Sequence, residues 1–384
     1  MVFVNMLHKM KTAVGILSKE CVMLICHLMP IKKNKVVFSS YRGRQYSDSP
    51  MFISEELEKD GNLDIVWIYN SQLNRNSIRT VPDNTLRAAY ELATAKVWVD
   101  NCRKKIWVKK RRGQFYIQTW HGNLGIKKIE EDAGDKLKKS YIRSAKHDSK
   151  MTDVITSGCK WATNNFRTAF WYGGEIWECG SARTDIFYND VTPIKEKVYS
   201  FYGFDSNDRV IIYAPTFRNS KRLDCYCIDY EMLIDSARKK WGGNWKVIVR
   251  LHPNMTEEQR KLSFSTNVKN GLEYQEINEL IVASELLITD YSSCMFDAME
   301  AGKKVIFYAT DLEEYIEERG TYFQYKDLPF PLSRSNEELC VAIAKYDDSK
   351  QKELAAEFMK EQGFFNDGQA SHRVADRIRQ VIRD

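Results

Sequence analysis

The stretch that decides the fold is residues 285–308, ELLITDYSSCMFDAMEAGKKVIFY. An apolar strand (Leu286–Thr289) runs into a polar turn, a short helix follows, and a second apolar strand (Val305–Tyr308) closes the unit. Two buried strands with a helix between them form a βαβ pattern, which is typical of a parallel sheet covered by helices. The stretch therefore predicts an α/β protein.

The corner between the first strand and the helix carries two small hydroxyl residues, Ser292 and Ser293. Backbone N–H groups at a helix N-terminus lack helical partners, and the helix dipole there favours an anion. Asp297, one helical turn further on, is placed to accept a hydrogen bond from a ribose hydroxyl. The same residues also suit an ordinary helix N-cap, so this motif alone leaves a phosphate site and a structural cap equally open.

Length and composition limit the class of protein. A chain of 384 residues exceeds what one hydrophobic core usually holds, so two domains are expected. Hydrophobic residues at 43% and charged residues at 29% indicate a folded globular chain rather than disorder. A net charge of +6 suits phosphates or acidic lipid as partners, but is too small to indicate nucleic acid, which we do not predict as a partner.

The cysteines favour a reducing compartment. The chain has nine of them, with no Cys-x-x-Cys pair and no Cys/His spacing for zinc. The apolar stretch Cys21–Met29 is too short to span a bilayer and lacks a convincing signal-peptide cleavage site. We therefore expect a protein on the cytoplasmic side of the membrane.

Strands and helices alternate in two series, the first beginning at Lys35–Ser40 and the second at Arg209–Ala214. This pattern predicts two Rossmann-like doubly wound domains facing a cleft, with ligands at the carboxyl ends of the strands. The predicted division is an amphipathic helix over 1–30, an N-terminal domain over 31–200, and a C-terminal domain with C-terminal helices over 201–384.

Two segments suggest contact with an anionic surface. The first thirty residues carry apolar side chains at spacings of three to four with lysines nearby, as in a helix that lies in the membrane interface or packs on the protein's own core. The tract Arg103–Arg112 holds seven basic residues and no acid. It indicates either a docking surface for a membrane or polyanion, or a solvated β-hairpin.

Two of the six histidines follow predicted strands, His121 after Phe115–Thr119 and His252 after Lys246–Arg250. Histidine is the side chain that most readily exchanges a proton near neutral pH. Since the carboxyl ends of parallel strands meet at one edge of a sheet, these histidines are expected beside polar groups. Together with Thr216, Arg218, Arg250 and the serine corner, they predict a diphosphate site with a base available.

Four motifs give the chain a family resemblance. In order they are QTWHG (118–122), YAPTFR (213–218), RLHP (250–253) and TDYSS (289–293). They resemble the CDP-glycerol glycerophosphotransferase family, whose enzymes build teichoic acids and related capsular polymers. The stretch GSARTD (180–185) is similar to the family's G-x-P-R-N-D element, with Ser181 and Ala182 in place of x-Pro. Asn123 stands where the family usually has Thr after His-Gly.

The resemblance runs from about residue 35 to the end and implies an activity. A GT-B-like enzyme of this family transfers a polyol phosphate from a CDP-polyol to a hydroxyl of a lipid-linked teichoic-acid or capsule acceptor, releasing CMP. Glycerol phosphate is favoured over ribitol phosphate, and the acceptor ends in a polyol phosphate or a glycan. The enzyme is expected to act peripherally at the cytoplasmic face of the cell membrane. Without a compact Asp-x-Asp motif no cofactor is required, although Mg²⁺ stays open.

The resemblance also implies roles for residues. His121 takes the proton from the acceptor hydroxyl, and His252 donates to the diphosphate as charge builds on the CMP leaving group. The residues expected to bind the CDP-polyol are Thr216, Arg218, Arg250, Asp290, Tyr291, Ser292, Ser293 and Asp297. Those expected on the acceptor side or at the domain junction are Gly122, Asn123, Arg183 and Asp185.

Two other classes of protein share part of this pattern. One is a GT-B sugar-nucleotide glycosyltransferase or epimerase, which also places an acid on the last Rossmann helix to hold a ribose. The other is a non-catalytic, basic, membrane-associated scaffold. The joint presence of the WHG and DYSS motifs argues against the first class, and the second predicts no turnover and no special role for the two histidines. Whether the enzyme adds one unit or many, to teichoic acid or capsule, is not encoded in these motifs.

Overall fold

The computed structural model of the chain describes residues 15–73, 75–218, 226, 228–252, 255–260 and 262–384. The first half of the predicted N-terminal helix (1–14) and Pro253 of the RLHP motif lie outside the described residues. The chain divides into two compact units. Unit 1 comprises Met1–His121, Glu130–Arg183 and Phe365–Asp384, and unit 2 comprises Gly122–Ile129 and Thr184–Phe364.

Each unit contains one parallel sheet. The sheet of unit 1 has the strand order β3-β2-β1-β4-β5-β6-β7, and that of unit 2 has the order β10-β9-β8-β11-β12-β13. The strands of unit 1 are β1 (Lys32–Ser39), β2 (Asp64–Ile68), β3 (Ile78–Val81), β4 (Ala95–Asp100), β5 (Phe115–Gln118), β6 (Val154–Ser157) and β7 (Glu175–Glu178). Those of unit 2 are β8 (Asp208–Tyr213), β9 (Asn244–Val249), β10 (Val268–Asn270), β11 (Leu286–Thr289), β12 (Lys304–Tyr308) and β13 (Leu332–Ser333).

Helices connect the strands. They are α1 (15–26), α2 (Asp48–Glu58), α3 (Leu86–Thr94), α4 (Lys139–Met151), α5 (Lys160–Ala169), α6 (Thr192–Tyr202), α7 (Tyr230–Trp241), α8 (Thr256–Gln259), α9 (Ile277–Ala283), α10 (Cys294–Glu300), α11 (Leu312–Arg319), α12 (Asn336–Ala344), α13 (Asp348–Glu361) and α14 (Ala370–Arg383). No helix within the described ranges is long and apolar enough to cross a membrane.

The central strands form because their residues are apolar on both faces. In β1, Val36, Val37 and Phe38 are all fully buried, as expected for a parallel strand covered by helices on both sides. The decisive βαβ unit predicted from the sequence is present as β11, α10 and β12, with Leu286 opposite Lys304 in parallel register. The α/β prediction is therefore confirmed.

Both strand orders reverse once, between β1 and β4 in unit 1 and between β8 and β11 in unit 2. The order 3-2-1-4-5-6 is that of the Rossmann fold, in which ligands bind outside the carboxyl ends of the strands at this reversal. The reversal points in the two units are therefore the places to look for functional groups.

The structure divides the chain differently from the expected 31–200 and 201–384. Helix α14 belongs to unit 1, because Val374 and Ile378 are buried in one apolar core with Ile53 of α2 and Trp67 of β2. Residues Gly122–Ile129 belong to unit 2, where Lys127 pairs with Thr321. Apolar packing partners far apart in sequence set these assignments, so a division into contiguous halves does not reproduce them.

The basic tract Arg103–Arg112 forms neither a β-hairpin nor a freely charged surface. Arg103 is buried and pairs with Glu130 at 2.8 Å and Asp148 at 3.2 Å. Lys104 is also buried, 2.6 Å from Asp100. The expected docking surface is wrong for these residues, because their acidic partners come from distant parts of the sequence.

Other residues of the tract connect α1 and the residues after it to the rest of unit 1. Lys110 pairs with Asp153, and Lys109 pairs with Glu20 of α1 at 3.2 Å. Arg111 donates hydrogen bonds to the carbonyls of His27 and Met29, just after α1. The tract therefore holds α1 against unit 1.

Candidate active site

His121 follows β5 in unit 1 and is held by the residue that follows β4. Its Nδ1 lies 2.7 Å from the backbone carbonyl oxygen of Asn101. Because a carbonyl only accepts, Nδ1 carries the proton of this hydrogen bond, which leaves the lone pair of a neutral ring on Nε2. The ring stacks on Trp120 at 4.2 Å and lies 5.8 Å from the ring of Tyr41. His121 is thus oriented as a general base requires.

The backbone around His121 is strained. Four non-glycine residues of this region have positive φ: Tyr41 (46°), Arg42 (59°), Asp48 (65°) and Trp120 (52°). Such conformations are uncommon for residues with a Cβ atom and concentrate at functional sites, where the surroundings enforce them. Here Tyr41 is enforced from two sides, because its N–H donates to Asn101 Oδ1 at 2.8 Å and its hydroxyl donates to Asp48 Oδ2 at 2.6 Å.

Arg183 braces the same loops within unit 1. Its Nε lies 3.3 Å from Asp48 Oδ2, its backbone N–H donates to Ser49 Oγ at 3.2 Å, and its Nη1 lies 3.5 Å from the carbonyl oxygen of His121. Arg183 therefore braces loops inside unit 1, and its expected place at the domain junction stays a prediction. Asp185 is buried in unit 2, where its carbonyl accepts from Tyr188 and Asn189.

The serine corner lies at the carboxyl end of β11 in unit 2. Ser292 and Ser293 are half-buried, and Ser293 makes no side-chain cap to the first turn of α10. Gly122 lies against this corner, where a Cβ atom would be in van der Waals contact with Ser293 Oγ at 3.4 Å. The structure thus brings residues of the WHG and DYSS motifs together, with half-buried Asn123 next in the chain.

Thr216 and Asp297 flank the corner. The backbone N–H of Thr216, which follows β8, donates to Asp290 Oδ1 at 2.7 Å. Its Oγ1 is buried and has no hydrogen-bond partner among the described residues. A buried hydroxyl without a partner is costly, so this one is suited to a bound group. Asp297 is buried on α10, one turn past Ser293.

Arg218, which is predicted to bind the donor, has its guanidinium engaged by groups of the protein. Its Nε donates to Asp311 Oδ2 at 2.6 Å, its Nη2 to Asp290 Oδ2 at 2.8 Å, and its Nη1 to the carbonyl of Thr216 at 2.6 Å. Burial opposes the charge, but the two carboxylates raise the pKa of Arg218 above its ordinary value. All three nitrogens are engaged, so Arg218 acts as a support.

Asp290 and Tyr291 are supports as well. Asp290 Oδ1 accepts from the N–H groups of Thr216 and Tyr291, and therefore shapes the turn itself. Tyr291 is buried, stacks on Tyr315 at 3.6 Å and donates its hydroxyl to Asp311 at 2.9 Å. Burial, followed by the charges of Asp311 and Asp290, raises the pKa of Tyr291 far above its ordinary value. Both residues therefore position the turn, and the direct contact with substrate expected for them stays a prediction.

Arg250 is likewise structural. Its Nη1 donates to the carbonyls of Gly271 (2.9 Å) and Tyr274, and its Nη2 donates to the carbonyl of Gln275 at 2.8 Å. His252 is exposed after β9, with its ring 5.9 Å from that of Phe217. Of the two arginines and the histidine predicted here, His252 is the one with an exposed side chain.

Three residues of the site were not predicted: Tyr41, Asn101 and Asp311. Each follows a strand, β1, β4 and β12 respectively, so the strand-end rule applied to every strand would have found them.

Groups of three or more His, Cys, Asp or Glu side chains that could hold a metal ion do not occur among the described residues.

Two Rossmann-type units, one with a histidine oriented as a base and one with a hydroxyl-rich corner, place the protein in the class of GT-B-like two-domain transferases. Residues 21–380 match the model of the CDP-glycerol:poly(glycerophosphate) glycerophosphotransferase family. The chain belongs to this family, which confirms the expected class of enzyme.

Curated relatives agree along nearly the whole chain. The chain is 28% identical to the teichoic acid poly(glycerol phosphate) polymerase of Bacillus spizizenii, over 92% of this chain and 94% of that protein. It is 29% identical to the teichoic acid glycerol-phosphate transferase of Staphylococcus aureus, over 90% and 93%. In contrast, it spans 52% of the Bacillus subtilis polymerase, to which it is 28% identical over 96% of its own length.

Solved structures agree as well. The wall teichoic acid polymerase TagF superposes with a TM-score of 0.83 at 27% identity, covering 99% of this chain and 97% of that one. A UDP-N-acetylglucosamine 2-epimerase from Listeria monocytogenes shares the fold alone, with a TM-score of 0.52 at 14% identity, over 92% and 97%. The GT-B-like prediction is confirmed, and the family match favours the phosphotransferase over the epimerase and scaffold alternatives.

Proposed function

We propose that this enzyme transfers glycerol phosphate from CDP-glycerol to a hydroxyl of a teichoic-acid acceptor and releases CMP. The observation that carries the proposal is His121, whose Nδ1–H is held by the Asn101 carbonyl and which directly precedes Gly122, the residue packed on Ser293. The names of the relatives support glycerol phosphate, and one solved TagF structure includes a soak with CDPG.

The transfer is a displacement at phosphorus. His121 Nε2 takes the proton of the acceptor hydroxyl, whose oxygen forms a bond to the β-phosphorus of the donor. The bond from that phosphorus to the bridging oxygen breaks, and the electron pair leaves with CMP. His252 donates a hydrogen bond to the diphosphate as this charge develops. Positioning and charge stabilisation carry most of the catalysis in phosphoryl transfer.

The donor is held mainly by hydroxyl groups at the N-terminal end of α10. Ser292 and Ser293 face the diphosphate there, and the buried Thr216 hydroxyl adds a donor. Asp297 accepts from the ribose. Arg218 with its two carboxylates holds this arrangement rigid without touching the donor. These donors supply the contacts without a cofactor, and a loosely bound Mg²⁺ is compatible with them.

The acceptor is proposed to be lipid-linked, ending in a polyol phosphate or a glycan, and the enzyme to work peripherally at the cytoplasmic face of the cell membrane. Helix α1 and the residues after it support this placement. Leu17, Leu24, Ile25 and Leu28 are exposed by 62%, 51%, 63% and 87%, along one side of the helix. An exposed apolar stripe with lysines nearby is typical of helices that lie in a membrane interface.

Ribitol phosphate is the second candidate for the transferred group. The teichoic acid ribitol-phosphate primase of Bacillus spizizenii is 28% identical over 92% of this chain and 93% of that protein. Because glycerol and ribitol differ only in the length of a hydroxylated chain, the residues around the diphosphate serve both.

The test offers purified protein CDP-glycerol and CDP-ribitol in turn, with a lipid-linked acceptor, and measures released CMP. We expect acceptor-dependent release from CDP-glycerol, faster than from CDP-ribitol. His372→Ala, which removes an exposed histidine of α14, is the matched control and should leave the rate unchanged. Turnover of a UDP-sugar in place of both CDP-polyols would overturn the proposal.

A further inference from the structure

Unit 1 contains a cavity of about 1630 Å³ between α1, residues 105–109 and α4. One wall is apolar and is formed by Ile16, Leu17, Ile106 and Trp107. The other wall is α4, which presents basic side chains. The cavity shares no residue with the candidate active site, and the transfer reaction gives it no role.

The basic side chains of α4 form a stripe. Lys139, Arg143, Lys146 and Lys150 follow one another at spacings of four, three and four residues, all line the cavity, and all are exposed. They therefore share one face of the helix over about 16 Å. Like charges at these spacings repel and destabilise a helix, so an arrangement of this kind gains from a bound anion.

The acids near the cavity do not neutralise this stripe. Glu20 pairs with Lys109 at 3.2 Å, and Asp83 pairs with Lys105 at 2.7 Å. Lys19 of α1 also lines the cavity. Within the part of the chain that the structure describes, neither Lys19 nor any cation of the α4 stripe forms an ion pair. The cavity thus has an excess of positive charge facing an apolar wall.

An anion alone would not need the apolar wall. Leu17 belongs both to this wall and to the exposed apolar stripe of α1, so the wall continues into the surface proposed to meet the membrane. We propose that the cavity binds one anionic glycerophospholipid, with its phosphate among the α4 cations and an acyl chain along the apolar wall. This inference rests on the membrane placement proposed above, but not on the transferase activity.

The first experiment measures binding of dihexanoyl phosphatidylglycerol, kept below its micelle concentration, to the full chain by calorimetry. We expect saturable binding of one lipid per chain. Dihexanoyl phosphatidylcholine, which lacks net charge, and glycerol phosphate, which lacks the chains, should each bind at least about tenfold more weakly. Glycerol phosphate binding as tightly as the lipid would reduce the cavity to a simple anion site, and absence of lipid binding would remove it altogether.

The second experiment separates the site from net charge. The variant K139Q/R143Q/K146Q/K150Q is compared with K345Q/K350Q/K352Q/K360Q, which removes four exposed lysines of unit 2 and the same total charge. We expect the α4 variant to lose at least about a hundredfold in lipid affinity, since each basic residue near an anionic lipid contributes about fivefold, and the control to change less than about twofold. Equal losses would overturn the proposal.

The third measurement keeps this inference distinguishable from the proposed function. CMP release with a soluble acceptor analogue should be the same in the α4 variant as in the unaltered enzyme. Loss of lipid binding with normal CMP release supports a dedicated lipid site. Normal lipid binding by the α4 variant overturns it, whatever the enzyme does with CDP-glycerol.

Discussion

The two reversal points occupy equivalent places in the two sheets but are built in opposite ways. In unit 1, strained backbone at Tyr41 and Trp120 and one carbonyl of Asn101 orient a single reactive side chain, His121. In unit 2, an ion-pair network of Arg218, Asp290 and Asp311 holds the turn. The first uses the main chain to orient a side chain, whereas the second uses charged side chains to hold a turn that presents hydroxyl groups.

The largest expected effect comes from His121→Ala. Removing a general base typically lowers a rate by about 10²–10⁴-fold. The affinity for CDP-glycerol, measured by calorimetry, should change little, because His121 acts on the acceptor. His252→Ala should instead lower both turnover and donor affinity. Near-normal turnover of the His121 variant at saturating acceptor would break the comparison, since unit 1 would then have no reactive group to aim.

Arg218→Met tests whether the ion-pair network stabilises the fold. Removing one partner of a buried ion pair typically costs about 3–5 kcal/mol, because the remaining charges lose their partner. We expect a loss of this size in the free energy of unfolding, measured in urea. Arg238→Met, which removes an exposed pair with Asp235, should cost no more than about 1 kcal/mol. A stable Arg218 variant that has lost only its CMP affinity would mean that Arg218 contacts phosphate directly.

Ser292→Ala combined with Ser293→Ala tests whether the two serine hydroxyls at the turn bind phosphate. Hydrogen bonds to a charged group contribute about 1.5–3 kcal/mol, so CMP and CDP-glycerol should both bind roughly tenfold to a hundredfold more weakly. Calorimetry on the folded double variant measures this, with exposed Ser349→Ala as the control. Unchanged CMP affinity would place the nucleotide elsewhere.

Lys303, just before β12, is a half-buried cation without such a network of carboxylates. Its Nζ donates to the carbonyl of Val282 at 2.8 Å, and burial lowers its pKa to about 8. Between pH 8 and about 10.4 the unfolded chain keeps a proton that the folded chain has lost, so stability from this group rises with pH in that window. We expect a gain of about 1–2 kcal/mol between pH 7 and 9.5.

The gain should disappear in Lys303→Met, measured by urea unfolding at both pH values. Lys304→Met, which removes a partly exposed pair with Asp348, is the matched control and should keep it. If the Lys303 variant shows the same pH dependence as the unaltered protein, Lys303 is charged in the folded state and burial does not govern it.

Positions were easier to predict than roles. The βαβ stretch, His121, Gly122 and Ser293 follow from local patterns, because apolar runs define strands and the residues after them meet at one edge of the sheet. Arg218 and Arg250 were placed correctly at strand ends, but the sequence did not show that their guanidinium groups bind protein groups. Their partners decide what these groups do, and Asp311 lies 93 residues from Arg218.

The basic tract 103–112 failed for the same reason. Seven cations within ten residues indicate a charged surface only if acidic partners are absent, yet Glu130, Asp148 and Asp153 all lie within 4 Å of one of them. A linear pattern records the charge of a side chain and not the distance to its counterion. The cation stripe of α4 was visible as a helical spacing, but the cavity that it lines was not.

The membership of α14 in unit 1 has a consequence for the order of synthesis and folding. The apolar core around Ile53 and Trp67 is completed by Val374 and Ile378, which leave the ribosome only after the whole of 184–364. Unit 2 can therefore finish folding while the core of unit 1 still lacks its last helix. During that interval an apolar surface stays open to water, which is when a chaperone would have most to bind.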